Sequence, residues 1–144
     1  MSRLIQQAID WRIAFGHPVS ESREQIPNCP KVEFQLSLID EEFGELHGAA
    51  WDLIETIVQH TDYDNATVEE IKKARQELLK EMADSVFVIY QLAAYLGMNL
   101  DEAMDRVFTS NMSKLDENGK PIYNEKGKVM KGPNYQPPDL SDIA

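Results

Sequence analysis

Leu38-Ile39-Asp40-Glu41-Glu42-Phe43-Gly44-Glu45-Leu46 decides how this chain reads. The segment has helical spacing, yet it carries acid where a helix should be apolar. Residues three and four apart share a helix face. The stripe through Leu38, Glu42, Glu45, Ala49 and Leu53 is therefore apolar at both ends and acidic in the middle. An ionised carboxylate taken from water without a partner is costly. The stripe predicts something positive at its centre.

Outward from this stretch, the spacing predicts a long helix over about residues 32–59. Gly44 inside it is unfavourable relative to alanine, which a close backbone approach would explain. Thr67-Val68-Glu69-Glu70 has the form of a capping box and predicts a third helix over about 68–96, stopped by Gly97. This helix repeats the anomaly: Glu81 and Asp84 lie three apart between Leu78 and the pair Phe87 and Val88. Its second half, from Ser85 to Leu96, is apolar nearly all round, the pattern of a helix buried on every side. Four helices of one short chain hardly enclose such an element, so a homo-oligomer is expected, most simply a dimer.

Apolar positions at Leu4, Ile5, Ala8, Trp11, Ile13 and Phe15 predict a first helix over about 2–15, with Ser2 as cap. Residues 17–31 hold three prolines and no period, and read as an ordered or lid-like loop. His17 and Cys29 lie there and read as plain loop side chains. Asn99-Leu100-Asp101-Glu102 is a second capping box and opens a fourth helix over about 100–112. Residues 113–144 read as an extended tail with room for one short hairpin at Asn118-Gly119 or Lys126-Gly127. Trp11, Trp51, Tyr90 and Phe108 read as core ahead of base clamps. The fold class is all-α: one domain over 1–144, a four-helix bundle type with an extended tail.

The 144 residues carry a net charge of −11, which argues against a nucleic-acid-binding surface. The single cysteine rules out an internal disulfide and fits a reducing compartment. There is no signal-peptide pattern and no apolar run long enough to span a bilayer. The cytoplasm is the expected location, without nucleic-acid or membrane partners.

Taken alone, either carboxylate pair reads as a solvated helix face. Two such pairs on successive helices, both inside apolar stripes, read as one oxygen-lined cation site. Such a site suits Mg²⁺, Mn²⁺ or Ca²⁺, not Zn²⁺, which favours histidine and cysteine. The di-iron bundle pattern Glu-x-x-His is absent. Mg²⁺ commonly shares its shell with substrate phosphates. Between Arg106 and Lys131 there are six basic and three acidic residues, a positive segment in an acidic chain. Metal on one side and lysines on the other would suit a polyphosphate.

The pattern Glu41-Glu42-x-x-Glu45 followed by Glu81-x-x-Asp84 resembles the signature of the MazG-like all-α nucleoside triphosphate pyrophosphohydrolases. Relatives include dimeric dUTPases and phosphoribosyl-ATP pyrophosphohydrolases. Ala14-Phe15-Gly16-His17-Pro18, Ser110-Asn111-Met112-Ser113-Lys114-Leu115 and the tail Lys131-Gly132-Pro133-Asn134-Tyr135 resemble the short single-domain branch. The resemblance implies Mg²⁺- or Mn²⁺-dependent cleavage of a nucleoside triphosphate, with a lean towards deoxynucleotides, to the monophosphate and pyrophosphate in nucleotide-pool housecleaning. Phosphoribosyl-ATP hydrolysis and a non-catalytic metal- or nucleotide-binding module are the alternatives. Carried over by motif, Glu42, Glu45, Glu81 and Asp84 would hold metal. Glu41 would be a further ligand or the group that deprotonates the attacking water. Asn111 and Lys114 would contact the nucleotide, and Lys131, Asn134 and Tyr135 would close over it.

Overall fold

The computed structural model describes residues 3–19, 27–60 and 64–144. It contains four helices: α1 Leu4–Ala14, α2 Cys29–Gln59, α3 Asn65–Leu96 and α4 Leu100–Met112. No strand occurs among the described residues, and the fold is all-α.

Two helices begin a turn earlier than their apolar periods suggest, because the capping side chain sits further upstream. The Asn28 side chain accepts from the Lys31 N–H at 3.1 Å, and Pro30 occupies the first turn, so α2 starts at Cys29 and not at 32. The Asp64 carboxylate accepts from the Thr67 N–H at 2.8 Å, so α3 starts at Asn65 and not at 68. Thr67 is thus a buried first-turn residue, not the cap. Gly97, at φ +70°, ends α3, and the Met98 N–H reaches back to the Ala93 carbonyl at 2.9 Å. For α4 the capping box reads correctly: the Asn99 side chain accepts from the Glu102 N–H at 3.1 Å.

α1 spans Leu4–Ala14, shorter at both ends than 2–15. Ser2 lies outside the described residues, as do 20–26 of the predicted loop. Arg3 stands at the cap position without a capping side-chain bond to the helix. The job is done across the chain: the Asp101 carboxylate accepts from the Ile5 N–H and the Arg3 guanidinium, both at 3.2 Å. The same carboxylate accepts from the Tyr90 hydroxyl at 3.0 Å, tying α1, α3 and α4 together.

α2 and α3 pack against each other in opposite directions along most of their length. The Ser85 hydroxyl meets the Glu42 carbonyl near the middle, and His60 meets Glu70 at the turn end. α1 lies on the second half of α3, where Ala8, Tyr90 and Ala94 form the core with Ile5, Ile9 and Leu100 around them. Burial there is only partly as expected. Val88, Tyr90, Ala93, Ala94 and Tyr95 are buried, but Val86 is 44 % and Phe87 37 % exposed in the single chain. Trp51 and Phe108 are also exposed, against their reading as core. Gly44 faces open space, so no close approach within the chain explains it.

The tail is a chain of turns. Asp116 and Asn124 side chains each accept two backbone N–H bonds, Gly119 and Gly127 take left-handed φ values, and Tyr123 bridges Val129 antiparallel. Arg106 bonds Glu102, Asp142 and the Asp139 carbonyl, which returns the C-terminal residues to α4. No helix among the described residues is long and apolar enough to cross a membrane.

Candidate functional site

The antiparallel pairing of α2 and α3 brings their acidic turns to one level. Glu42, Glu45 and Glu81 each offer a carboxylate oxygen, and these oxygens lie within 4.8 Å of one another. Their burial is graded. Glu81 is 9 % exposed, Glu42 is half-buried and Glu45 is exposed. The acidic cluster therefore sits at the edge of the helix seam, with one side open, and not in a closed interior.

Two oxygens reveal what the cluster lacks. Glu42 Oε2 and Glu81 Oε2 are both buried without a hydrogen-bond partner. Buried acceptors are normally satisfied. A pair of orphans on facing carboxylates marks a place for a cation. All the donors are carboxylate oxygens, the set that hard divalent ions take. Burial, then the charges of Glu45, Asp84, Glu81 and Glu41, push the Glu42 carboxyl above its ordinary value. Asp84 and Glu41 thus lie within electrostatic reach, although neither belongs to the tight group of three. The Asp84 carboxylate is instead held by the Lys80 ammonium at 2.9 Å, and that ammonium also meets Glu81 Oε1 at 3.1 Å.

The Glu42 shift has a testable sign. The unfolded group titrates at the ordinary value of 4.5, below its folded value. Its stabilising contribution is full below that pH and is lost as pH rises through the raised folded value. In metal-free protein, the melting temperature of Glu42→Gln relative to wild type should climb as pH rises past the ordinary carboxylate range. A difference that stays flat with pH would contradict the crowding of these carboxylates.

The other predicted residues gather elsewhere. Residues 131–136, which include Lys131, Asn134 and Tyr135, dock on the end of α4 and the turn after it, which carry Asn111 and Lys114. The Gly132 N–H donates to the Lys114 carbonyl at 2.9 Å. The Gln136 N–H donates to Ser113 Oγ at 3.0 Å, and the Ser110 hydroxyl donates to the Gln136 carbonyl at 2.7 Å. The Lys131 ammonium lies 4.8 Å from the centre of the Tyr135 ring. Among the described residues, no hydrogen bond or ion pair joins this basic group to the carboxylates of the same chain.

The docking leaves no room at Gly132. A Cβ there would stand 2.5 Å from the Leu115 carbonyl oxygen and 2.6 Å from that of Lys114. Gly132→Ala should therefore lift residues 131–135 off α4 and speed amide exchange across them, with the helical far-UV spectrum unchanged. Unaltered exchange in this segment would contradict the tight docking.

Sequence reasoning missed Lys80. Its spacing of four from Asp84 was legible, but on a charged helix face it reads as an ordinary surface pair. It also missed a buried polar group beyond the acidic cluster. Arg12 is 2 % exposed, bonded to the Pro18 carbonyl at 2.7 Å and to Gln91 Oε1 at 3.4 Å. Only Gln91, interrupting an apolar run, hinted at it. His17 stacks on Trp11, with ring centroids 5.4 Å apart.

A helical hairpin with facing acidic turns, all donors oxygen and two of them orphaned, has the donor set to hold a hard divalent ion. The family model of phosphoribosyl-ATP pyrophosphohydrolase matches residues 12–111, a stretch that includes all five carboxylates. The chain belongs to that family, within the MazG-like all-α superfamily, and is a pyrophosphohydrolase acting on a nucleotide. No curated protein matches the chain.

Proposed function

We propose that this chain hydrolyses a nucleoside triphosphate, a deoxynucleotide before others, to the monophosphate and pyrophosphate, with Mg²⁺ or Mn²⁺ held by Glu42, Glu45, Glu81 and Asp84. The reading rests on one observation above all: three carboxylates from two helices within reach of one ion, with buried oxygens left unpartnered. When bound, the divalent ion supplies charge neutralisation at the polyphosphate and Lewis acidity at its oxygens. The chain's own residues do the rest. Glu41, exposed beside the cluster, accepts a proton from the attacking water. The water oxygen bonds to one of the two phosphorus atoms flanking the α–β anhydride oxygen, and that phosphorus loses its bond to the bridging oxygen, giving the monophosphate and pyrophosphate. Lys114 and Asn111 contact the nucleotide, and Lys131, Asn134 and Tyr135 cover it.

Phosphoribosyl-ATP is the second reading, favoured by the family match over residues 12–111. It uses the same carboxylates and breaks the corresponding anhydride. A panel of deoxynucleotides, ribonucleotides and phosphoribosyl-ATP, assayed for pyrophosphate with each metal, separates the two. Highest kcat/KM on a deoxynucleoside triphosphate is the expected result. Highest kcat/KM on phosphoribosyl-ATP selects the second reading. Binding without pyrophosphate release from any substrate would leave only a sensor module.

Among the described residues, no hydrogen bond or ion pair joins the basic group at the end of α4 to the carboxylates of the same chain, and α3 leaves apolar surface uncovered. Leu79, Met82 and Val86 form an exposed stripe along α3 at helical spacing, 67, 47 and 44 % accessible. Two open apolar grooves meet at Leu79 and Met82, one rimmed by Leu53 and Ile71, the other by Leu4 and Phe87. Contiguous apolar surface of this kind marks an interface. We therefore assign a homodimer, and the exposed Cys29 fits work in the reducing cytoplasm. Light scattering should give twice the 16.4 kDa chain mass at micromolar concentration. The double change Leu79→Glu and Val86→Glu should give the chain mass itself. A wild-type monomer would overturn the assignment.

A further inference from the structure

We propose that Lys80 is an internal stand-in for the cation: it holds Glu81 and Asp84 until a divalent ion binds, yields them to that ion, and then meets a substrate phosphate. The inference rests on the metal-site reading above. Lys80 carries a single positive charge among Glu41, Glu42, Glu45, Glu81 and Asp84. Its ammonium bonds two of them, Glu81 Oε1 at 3.1 Å and Asp84 Oδ2 at 2.9 Å. An i,i+4 pair on a helix surface is ordinary. This one is not confined to the surface. The Lys80 side chain is 60 % exposed, while the Glu81 side chain it grips is only 11 % exposed.

The geometry also explains why Asp84 stands apart from the close group. Its carboxylate is drawn to the ammonium, while Glu42, Glu45 and Glu81 keep oxygens in common reach. One ammonium leaves the site short of charge and of bonds, since Glu42 Oε2 and Glu81 Oε2 stay unpartnered. A divalent ion satisfies those oxygens. If Asp84 joins as the fourth ligand, the lysine has to release it. The stem of Lys80 is long and largely in solvent, so release requires only rotation of its own torsions. The freed ammonium then stands one residue from a ligand, at the mouth where the polyphosphate arrives. A lysine there contacts phosphate as a mobile point charge.

Two consequences of opposite sign follow, and a merely structural lysine produces neither. Lys80→Met keeps the stem and removes the charge. Without nucleotide, calorimetric titration with Mn²⁺ should show this variant binding the ion more tightly than wild type, by between about twofold and tenfold, the scale of one or two exposed ion pairs. With Mg²⁺ saturating, KM for the nucleotide should rise about tenfold, the loss of one charge-assisted contact, with a smaller change in kcat. Lys80→Arg, which keeps the charge, should restore wild-type Mn²⁺ affinity. Mn²⁺ affinity that is unchanged or weaker in Lys80→Met, in a wild type that binds the ion and turns over nucleotide, overturns the role of Lys80 alone. Failure of the wild type to bind Mn²⁺ overturns this role and the metal site together.

Discussion

Glu81→Gln should lose at least about a hundredfold in pyrophosphate release while keeping its helical far-UV spectrum, because a ligand should cost more than the ten- to hundredfold of its outer-shell partners. The substitution keeps the shape of the side chain and removes one negative charge. Glu81 is the most buried member of the cluster, and its Oε2 has no partner within the protein. Nothing in the resting fold depends on that oxygen, so folding does not suffer from its loss. The resting fold should gain. Carboxylates that crowd one another raise the free energy of the metal-free state, and neutralising one relieves it. Glu45→Ala and Asp84→Ala should lose activity in the same way. A variant that melts at or above the wild-type temperature and still releases pyrophosphate at the wild-type rate would remove Glu81 from the chemistry.

Mg²⁺ or Mn²⁺ added to metal-free enzyme should raise its melting temperature. An ion present at a hundred times its dissociation constant adds about 2.7 kcal/mol to the folded state. For a chain of this size that corresponds to roughly 5–10 °C. The shift reads binding directly and needs no substrate. It should vanish when Glu42→Gln and Glu81→Gln are combined, since two of the three converging carboxylates are then neutral amides. It should be present near neutral pH and fade in acid, where the Glu42 carboxyl, pushed above its ordinary value by burial and its acidic neighbours, takes up its proton. No shift at millimolar metal would contradict the site.

The helix faces were legible in the sequence because the helical period converts spacing into direction. Acid at Glu42, Glu45 and Glu81 inside apolar stripes comes together because the two helices run antiparallel, while Asp84 lies outside the close group. Helix starts were less legible. The capping residues Asn28 and Asp64 lie upstream of where the apolar period begins, and a period cannot register a cap. The support of α1 by Asp101 was not legible at all: it spans 96 positions and depends on where α4 docks. Buried Arg12 was hidden for a related reason. Its guanidinium is satisfied by a carbonyl and a glutamine, with no acidic residue three or four positions away to suggest a helical pair. The place of the basic segment was equally beyond reach, since composition reports its charge and not the end of α4 on which it folds.

The claim on which all of this depends is that acidic side chains of α2 and α3 share one divalent ion. Anomalous diffraction from crystals soaked in Mn²⁺ tests it most directly. A peak is predicted between Glu42, Glu45 and Glu81, whose carboxylate oxygens would hold the ion. Asp84 is predicted to have turned from Lys80 towards the ion. Full Mn²⁺ exposure with no peak at that position, and Lys80 still bonded to Glu81 and Asp84, would contradict it.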